Sequence, residues 1–411
     1  MTVRRDFTFY FLLAFSCLPL ISVVLPRFMT FLPSALGLGA YIFLVVVRQQ
    51  PLPLSRFYLL IALGISLLCG LSAFSSGHPE EVIWKAVTTG ALIFSGVFLI
   101  AVCRTLDPQS LKNNAWVFPA LLTLAALIGA AELSFRMPLY QVFHDTDPAR
   151  TISTAVLNRG AVNIVLCAFA ALSLIRVWDA PPQMRLFLGS TLFGAIVLML
   201  ALSQAQVAQL AFVFGFGVYF LYPAGWRPGH RVLAAFLCLL LLTAPWLAQW
   251  MFATLAADAQ TLPWLKSGYA GARMEIWDFT SRYALQNPLA GHGMDATRYV
   301  ESFDHARLYH REDSVLHPHN FALQLWVDFG FAGAVWGCAL LGTILEALRR
   351  EGSESARCGL TLFLLVLLVA AISYGLWQSH WIGVMIYVLA LYHLVRATLN
   401  PSPEELNIRQ S

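Results

Sequence analysis

The sequence predicts an all-α polytopic membrane protein with about twelve transmembrane helices, and three observations carry that prediction. The 411 residues are 58% hydrophobic and 12% charged, with a mean hydropathy of +0.68, whereas a soluble globular chain is about a quarter charged. Apolar runs long enough to cross a hydrocarbon core of about 30 Å recur along the chain. Arg and Lys collect in alternate short connections, as they do when positive flanks stay on the cytoplasmic side.

The runs fall at 7–25, 28–47, 56–75, 82–103, 114–132, 152–175, 186–202, 205–222, 232–252, 319–347, 358–376 and 378–398. The first begins "MTVRRDFTFYFLLAFSCLPL", basic then apolar like a signal peptide, but no A-x-A site follows, so it reads as an uncleaved span. Alternate connections hold Arg4 and Arg5, Arg48 and Arg56, Arg104 and Lys112, Arg176 and Arg185, Arg227 and Arg231, then Arg349, Arg350 and Arg357. The others hold little positive charge beyond Arg27, Arg136 and Arg150, the last two beside Asp145 and Asp147. Both termini are therefore expected in the cytoplasm, with an even number of spans.

The chain reads as one integral membrane domain, 1–411, with a large outer loop at 253–318 between the ninth and tenth spans and a smaller one at 133–150. The end, "NPSPEELNIRQS", reads as a solvated tail. The seven cysteines lie in or near apolar runs, without CxxC spacing and outside the large loop, which speaks against a disulfide framework or a thiolate metal site. The net charge of +4 is accounted for by the basic inner connections and implies no nucleic-acid partner.

In the large loop, "GARMEIWDFTSRYALQNPLAGHG" spaces Met274, Trp277 and Tyr283 among charged groups at helical intervals over 272–285, and the Pro and Gly of "NPLAGHG" end the helix. An amphipathic helix on the outer membrane surface is expected, with Arg273 and Trp277 on one face. Its arginines either meet lipid headgroups or serve a site.

The stretch "HPHNFALQLWVDFG" takes unusual polarity into the tenth span. Pro318 suits a first helical turn, where its missing N–H costs nothing, which puts His319 in that turn. Asn320, Gln324 and Asp328 recur every four residues and form one stripe, which must face the bundle interior or a wet cavity. Asp328, nine residues past His319, points elsewhere and reads as structural. A helix N-terminus favours neutral imidazole, so His319 suits a general base, although a capping or hydrogen-bonding histidine fits the spacing equally. His317 and His319 straddle a proline with no paired carboxylate, a poor metal-ligand set. In "TISTAVLNRGAVNIVL", Arg159 heads the sixth span with Asn163 one turn deeper. Its guanidinium either snorkels to the interface or binds an anion.

These motifs together, "LNRG" heading a central span, "GARMEIW" and "NPLAGHG" in one outer loop, and "HPHNFALQLWVDFGFAG" entering the next span, resemble the O-antigen ligase and O-antigen polymerase superfamily. The family pattern falls on Arg273, Pro288, Gly291, Gly293, His319, Asn320, Gly330 and Gly333, within roughly 150–335. The resemblance implies a GT-C-type fold and a glycosyltransferase of the bacterial inner membrane, in lipopolysaccharide biosynthesis. The donor would be a glycan on undecaprenyl pyrophosphate and the acceptor lipid A-core, met at the periplasmic face. It implies that Arg159 and Arg273 hold the pyrophosphate and that His319 orients or deprotonates the acceptor hydroxyl. No cofactor is implied, and the loops carry no acidic metal motif, so a metal-independent reaction is expected.

His317 is a rival to His319, while Asn320, His317, Trp277 and Arg282 are the candidate substrate-binding residues. Arg282, His292, Arg298 and Arg311 are candidates for an acceptor groove. The alternatives are an O-antigen or exopolysaccharide polymerase, a protein O-oligosaccharyltransferase of the same superfamily, and, from another class, a polysaccharide or lipid transporter. The transporter predicts paired broken helices at the midplane, which the sequence does not show.

Overall fold

The computed structural model describes residues 2–146, 152–223, 225–300, 308–310 and 315–399, with side chains from residue 6 onward. Asp147, Arg150, Arg311, the tail at 400–411 and the side chains of Arg4 and Arg5 lie outside the described residues. Among the described residues every regular element is helical. In order they are α1 (Thr2–Val24), α2 (Leu32–Ile42), α3 (Arg56–Leu71), α4 (Pro79–Cys103), α5 (Pro108–Asn113), α6 (Val117–Ser134), α7 (Pro138–Phe143), α8 (Asn158–Val177) and α9 (Pro182–Leu202). There follow α10 (Gln206–Leu221), α11 (Arg227–Leu242), α12 (Ala244–Ala259), α13 (Pro263–Ser267), α14 (Ala270–Ala284), α15 (Phe321–Arg349), α16 (Ser353–Ile372) and α17 (Ser379–Leu399).

Nine of these, α1, α3, α4, α6, α8, α9, α15, α16 and α17, some lengthened by an adjoining turn, are long and apolar enough to cross a membrane. Counting the bent pair α11 and α12 as one span gives ten. The expected spans at 28–47 and 205–222 are instead the shorter apolar helices Leu32–Val47 and Gln206–Leu221. Twelve full spans are therefore not what these helices supply by length.

α8 sits at the centre, with α1, α6, α9, α10, α16 and α17 packed around it. It is buried almost all round from Gly160 to Ile175, which is where a helix apolar on every face must go. Its entry is tight: a methyl group on Gly160 would stand 2.8 Å from the Val23 carbonyl oxygen at the end of α1.

The expected straight span at 232–252 is broken by 71° between α11 and α12. Pro245 has no N–H to give the Leu241 carbonyl one turn back. The indole Nε1 of Trp326 on α15 donates to that carbonyl instead, at 2.9 Å.

α15 is itself broken at Gly330, where φ is 61° and ψ −149°. The break separates two pairs that a regular helix would join, the Val327 carbonyl with the Phe331 N–H and the Asp328 carbonyl with the Ala332 N–H. The "NPLAGHG" segment partners all four groups. His292 N–H donates to Val327 O at 2.7 Å and Gly293 N–H to Asp328 O at 3.0 Å, while Phe331 N–H reaches Pro288 O at 2.7 Å and Ala332 N–H reaches Leu289 O at 3.3 Å. Gly291 and Gly293 adopt φ of 69° and 96°. Glycine is demanded at 291 and 330 because the two backbones touch there: a Cβ on either would lie 2.5 Å from a main-chain atom of the other segment.

Candidate active site at the mouth of the bundle

α14 forms close to its expected position, but it does not lie open on a surface. It packs against α12 and α15 with Met274, Glu275, Ile276, Asp278 and Phe279 buried. The buried Glu275 carboxylate accepts the backbone N–H groups of Leu308, Tyr309 and His310 at 2.7, 2.7 and 2.6 Å, tying that stretch of the loop to the helix. Asp278 takes a bidentate fork from Arg282 at 2.9 and 3.0 Å. Trp277 donates its indole N–H to the Pro318 carbonyl at 2.9 Å, so α14 holds the chain between the two histidines.

The start of α15 differs from the sequence expectation. Pro318 and His319 precede the helix, and His319 adopts a left-handed φ of 53°. Asn320 is the N-cap, its side-chain oxygen accepting from Ala322 and Leu323 N–H at 3.0 and 3.2 Å. An asparagine cap outcompetes a proline start because it satisfies two otherwise orphaned donors. Of the predicted stripe, Gln324 and Asp328 do point inward, and both hold the turn between α16 and α17. Gln324 Oε1 accepts the Leu376 N–H at 2.7 Å, and Asp328 Oδ2 accepts the Trp377 indole at 2.6 Å, with Ala296 N–H on its other oxygen at 3.2 Å.

That turn, 373–378, is the element sequence reasoning missed. The Ser373 carbonyl accepts from His319 Nδ1 at 2.5 Å. A carbonyl only accepts, so Nδ1 carries the proton and Nε2 keeps its lone pair. Burial holds the His319 imidazole below its ordinary 6.5, and the charges of Arg273 and His310 act in the same direction. The His317 ring lies 4.1 Å from the His319 ring, centroid to centroid, and its Nε2 meets the Gln378 amide nitrogen at 2.6 Å. Burial first, then His319, Arg298, His380 and Arg159, push the His317 pKa down to about 3. Gly375 makes room for this ring, since a Cβ there would stand 2.7 Å from His317 Cγ. The signal was present in "ISYGLWQSH", but two apolar runs only one residue apart hid a turn with its own polar groups.

Arg159, in the first turn of α8, lies near enough to His317, Tyr374 and His380 for its charge to act on them, as Arg273 does on His319. Each of the two arginines thus lies within electrostatic reach of one of the touching histidine rings. Neither Arg159 nor Arg273 has a carboxylate partner among the described residues. By contrast Arg282 is paired with Asp278 and Arg298 with Asp295 at 3.0 Å. His292 is also committed, bonded to the Tyr283 carbonyl at 2.9 Å and stacked on that ring. Among the described residues the arrangement therefore offers two guanidinium groups without a carboxylate partner and a neutral imidazole whose Nε2 has no hydrogen-bond partner. Such a set can bind an anion and take a proton beside it.

Fold and site together define a polytopic helical membrane protein with a polar site at one end of its bundle. Residues 189–336 match the family model described as O-Antigen ligase, so that stretch of the chain is similar to the O-antigen ligase family. Over 131 residues it is 29% identical to a protein named "Putative polysaccharide ligase" in Rickettsia prowazekii (strain Madrid E), 28% to one in Rickettsia typhi (strain ATCC VR-144 / Wilmington) and 27% to one in Rickettsia conorii (strain ATCC VR-613 / Malish 7). Each match covers 31% of this chain and 32% of the relative, so about a third of either length is shared. No solved structure matches the chain. The matched region contains Arg273, His317, His319 and the Gly330 break, while Arg159 and the 373–378 turn lie outside it.

Proposed function

We propose that this protein is an O-antigen ligase that transfers a glycan from undecaprenyl pyrophosphate to lipid A-core, at the periplasmic face of the bacterial inner membrane, with both termini cytoplasmic. The observation that carries the reading is the pairing of two arginines with a neutral His319 where, among the described residues, no carboxylate neutralises either arginine and nothing bonds His319 Nε2. In the step, the acceptor hydroxyl oxygen forms a bond to the anomeric carbon as the bond from that carbon to the pyrophosphate oxygen breaks. The hydroxyl proton passes to His319 Nε2, and the electron pair leaves on undecaprenyl pyrophosphate. Arg159 and Arg273 stabilise the charge that gathers there, the part a metal ion plays elsewhere, so the reaction is metal-independent. His317 carries its proton on Nδ1, since its Nε2 accepts from Gln378, and that buried Nδ1 has no partner among the described residues. Trp277 and Asn320 act through the backbone that carries His319, and Arg282 through α14.

Reconstitution with an undecaprenyl-pyrophosphate glycan, lipid A-core and a chelator tests the reading. Glycan appearing on lipid A-core supports the ligase. Lengthening of the donor glycan without capping of the core reassigns the site to a polymerase, and no transfer with a competent donor defeats the transferase reading.

A further inference from the structure

The connection between α3 and α4, residues 72–78, is fastened to the loop that meets the α15 break. Ser72 Oγ accepts the Met294 N–H at 3.0 Å, Ser75 Oγ donates to the Ala290 carbonyl at 3.4 Å, and a Cβ on Gly293 would stand 2.5 Å from Ser76 Cβ. Across this seam the rings of His78 and Tyr299 stack, with 4.4 Å between centroids and 23° between planes. Beside them Asp295 is buried, with Arg298 Nε donating to its Oδ2 at 3.0 Å and Lys85 Nζ standing 3.8 Å from the same oxygen. The Arg298 side chain is 46% exposed and that of Lys85 30%, so both cations keep N–H groups that a ligand from the water can reach.

The turn Ala296–Tyr299, which carries Arg298 and Tyr299, is locked to the histidine site. Its Ala296 N–H donates to Asp328 Oδ1 at 3.2 Å, and Thr297 Oγ1 donates to the carbonyl of Leu316, one residue before His317, also at 3.2 Å. The Arg298 charge acts on His317, and Tyr299 lies within electrostatic reach of Asp295, Glu81 and Arg298. Two acidic groups, Asp295 and Glu81, thus balance two basic ones, Lys85 and Arg298. Unlike the Arg159 and Arg273 pair, this ledge has no excess positive charge to draw a phosphate. Nor is the ring pair needed to close the seam, which the Ser72, Ser75 and Gly293 contacts already hold. His78 and Glu81 are exposed, leaving ring surface beside charged donors and acceptors. A sugar fits that combination: its C–H face packs on an aromatic ring, and its hydroxyls pair with carboxylate, ammonium and guanidinium groups.

We infer that this ledge is a saccharide subsite beside the histidine site, seating one sugar residue with its ring on His78 and Tyr299 and its hydroxyls on Glu81, Lys85 and Arg298. The inference rests on the proposed transferase reading, which brings two glycans to His319, one on the donor and one on the acceptor. Both carry the chemistry that the ledge recognises. The ledge makes and breaks no bond. It positions the glycan whose sugar it holds, so its loss weakens the binding of that substrate and leaves the other unaffected.

The test uses the full chain in nanodiscs of phosphatidylethanolamine and phosphatidylglycerol and reads binding without transfer. Saturation-transfer NMR is run with two probes in turn, the oligosaccharide released from lipid A-core and the glycan released from the donor. The ring protons of a bound probe take up saturation, and the signal is expected to fall about tenfold in Tyr299→Ala and to persist in Tyr299→Phe, which keeps the aromatic face. His78→Ala, which removes the exposed ring, serves if Tyr299→Ala does not fold. A response from the core oligosaccharide assigns the ledge to the acceptor, and one from the donor glycan assigns it to the donor. No response from either probe overturns the inference, as does a signal undiminished in Tyr299→Ala and His78→Ala. In transfer assays Tyr299→Ala should raise KM about tenfold for the seated substrate alone. A lower kcat with both KM values unchanged marks a structural staple, defeating the subsite while leaving the transferase. Ring-dependent sugar binding without any transfer by the wild type leaves the subsite standing and defeats the transferase.

Discussion

Replacing Gly330 by alanine tests whether the broken α15 and the "NPLAGHG" loop form one unit. The residue sits at φ 61° and ψ −149°, a region close to glycine-only, where another residue costs about 1–3 kcal/mol. The added methyl would lie 2.5 Å from the Leu289 carbonyl carbon, against an optimal carbon separation of about 3.5–4.0 Å, so the loop must withdraw. Withdrawal strains up to four backbone hydrogen bonds, from 2.7 to 3.3 Å, each contributing about 1 kcal/mol. Losing one or two gives a total of about 2–5 kcal/mol, whose upper end is exceptional for a single substitution. Gly342→Ala is the control: it lies in the same helix with nothing within 4 Å, and it should gain about 0.5–1 kcal/mol from helix propensity. Thermal unfolding in detergent, with proteolysis of the loop at 285–300, reads both variants. Gly330→Ala as stable as Gly342→Ala, with the loop still protected, would refute the reasoning.

Other consequences follow from the same geometry. Trp326→Phe leaves the Leu241 carbonyl without its substitute donor at the α11–α12 bend and should cost about 1–3 kcal/mol, read as a lower unfolding temperature with little change in transfer. Trp277→Phe releases the Pro318 carbonyl and should lower turnover while leaving the fold intact; circular dichroism unchanged beside unchanged turnover would contradict that positioning role. Because the His319 pKa lies below 6.5 in the folded chain, its base form survives below that pH, and the acid limb of the pH–rate profile should fall below 6.5; a limb at or above it would contradict the assignment. His317, at about 3 folded against 6.5 unfolded, makes the unfolded state bind more protons between those values, so its contribution to stability is lost as pH falls through that window. His317→Gln should flatten the acid side of the stability curve by at most about 1.4 kcal/mol per pH unit.

Hydropathy made the large helices legible, because crossing a membrane leaves a mark in composition that tertiary packing barely alters. It failed at 232–252, where Pro245 and the indole of Trp326 decide a bend that no run of apolar letters records. The motifs in the loop located Arg273, Trp277, His317 and His319 near one another, since "NPLAGHG" and "HPHN" fix where the chain turns. Pro318 misled the reading of the helix start because the Asn320 side chain competes for the same donors and satisfies more of them. Glu275 and Asp278 carried no signal of their own in the sequence, and only the folded loop shows that one binds three backbone amides and the other an arginine. The turn at 373–378 escaped notice for a different reason. Its role rests on a backbone carbonyl, a glycine that yields space and an amide reaching 61 positions back along the chain, none of which has a local pattern.

The most direct test of the central claim is single-turnover transfer from a pre-bound undecaprenyl-pyrophosphate glycan to lipid A-core, in chelator, comparing wild type with His319→Ala and with Arg159→Lys and Arg273→Lys. The site as described predicts that His319→Ala binds donor normally but transfers at least about a hundredfold more slowly, the scale of a lost general base. Both lysine variants should bind donor more weakly, because a point charge replaces a planar fork. Transfer by His319→Ala at the wild-type rate, or donor binding indifferent to both arginines, would contradict it.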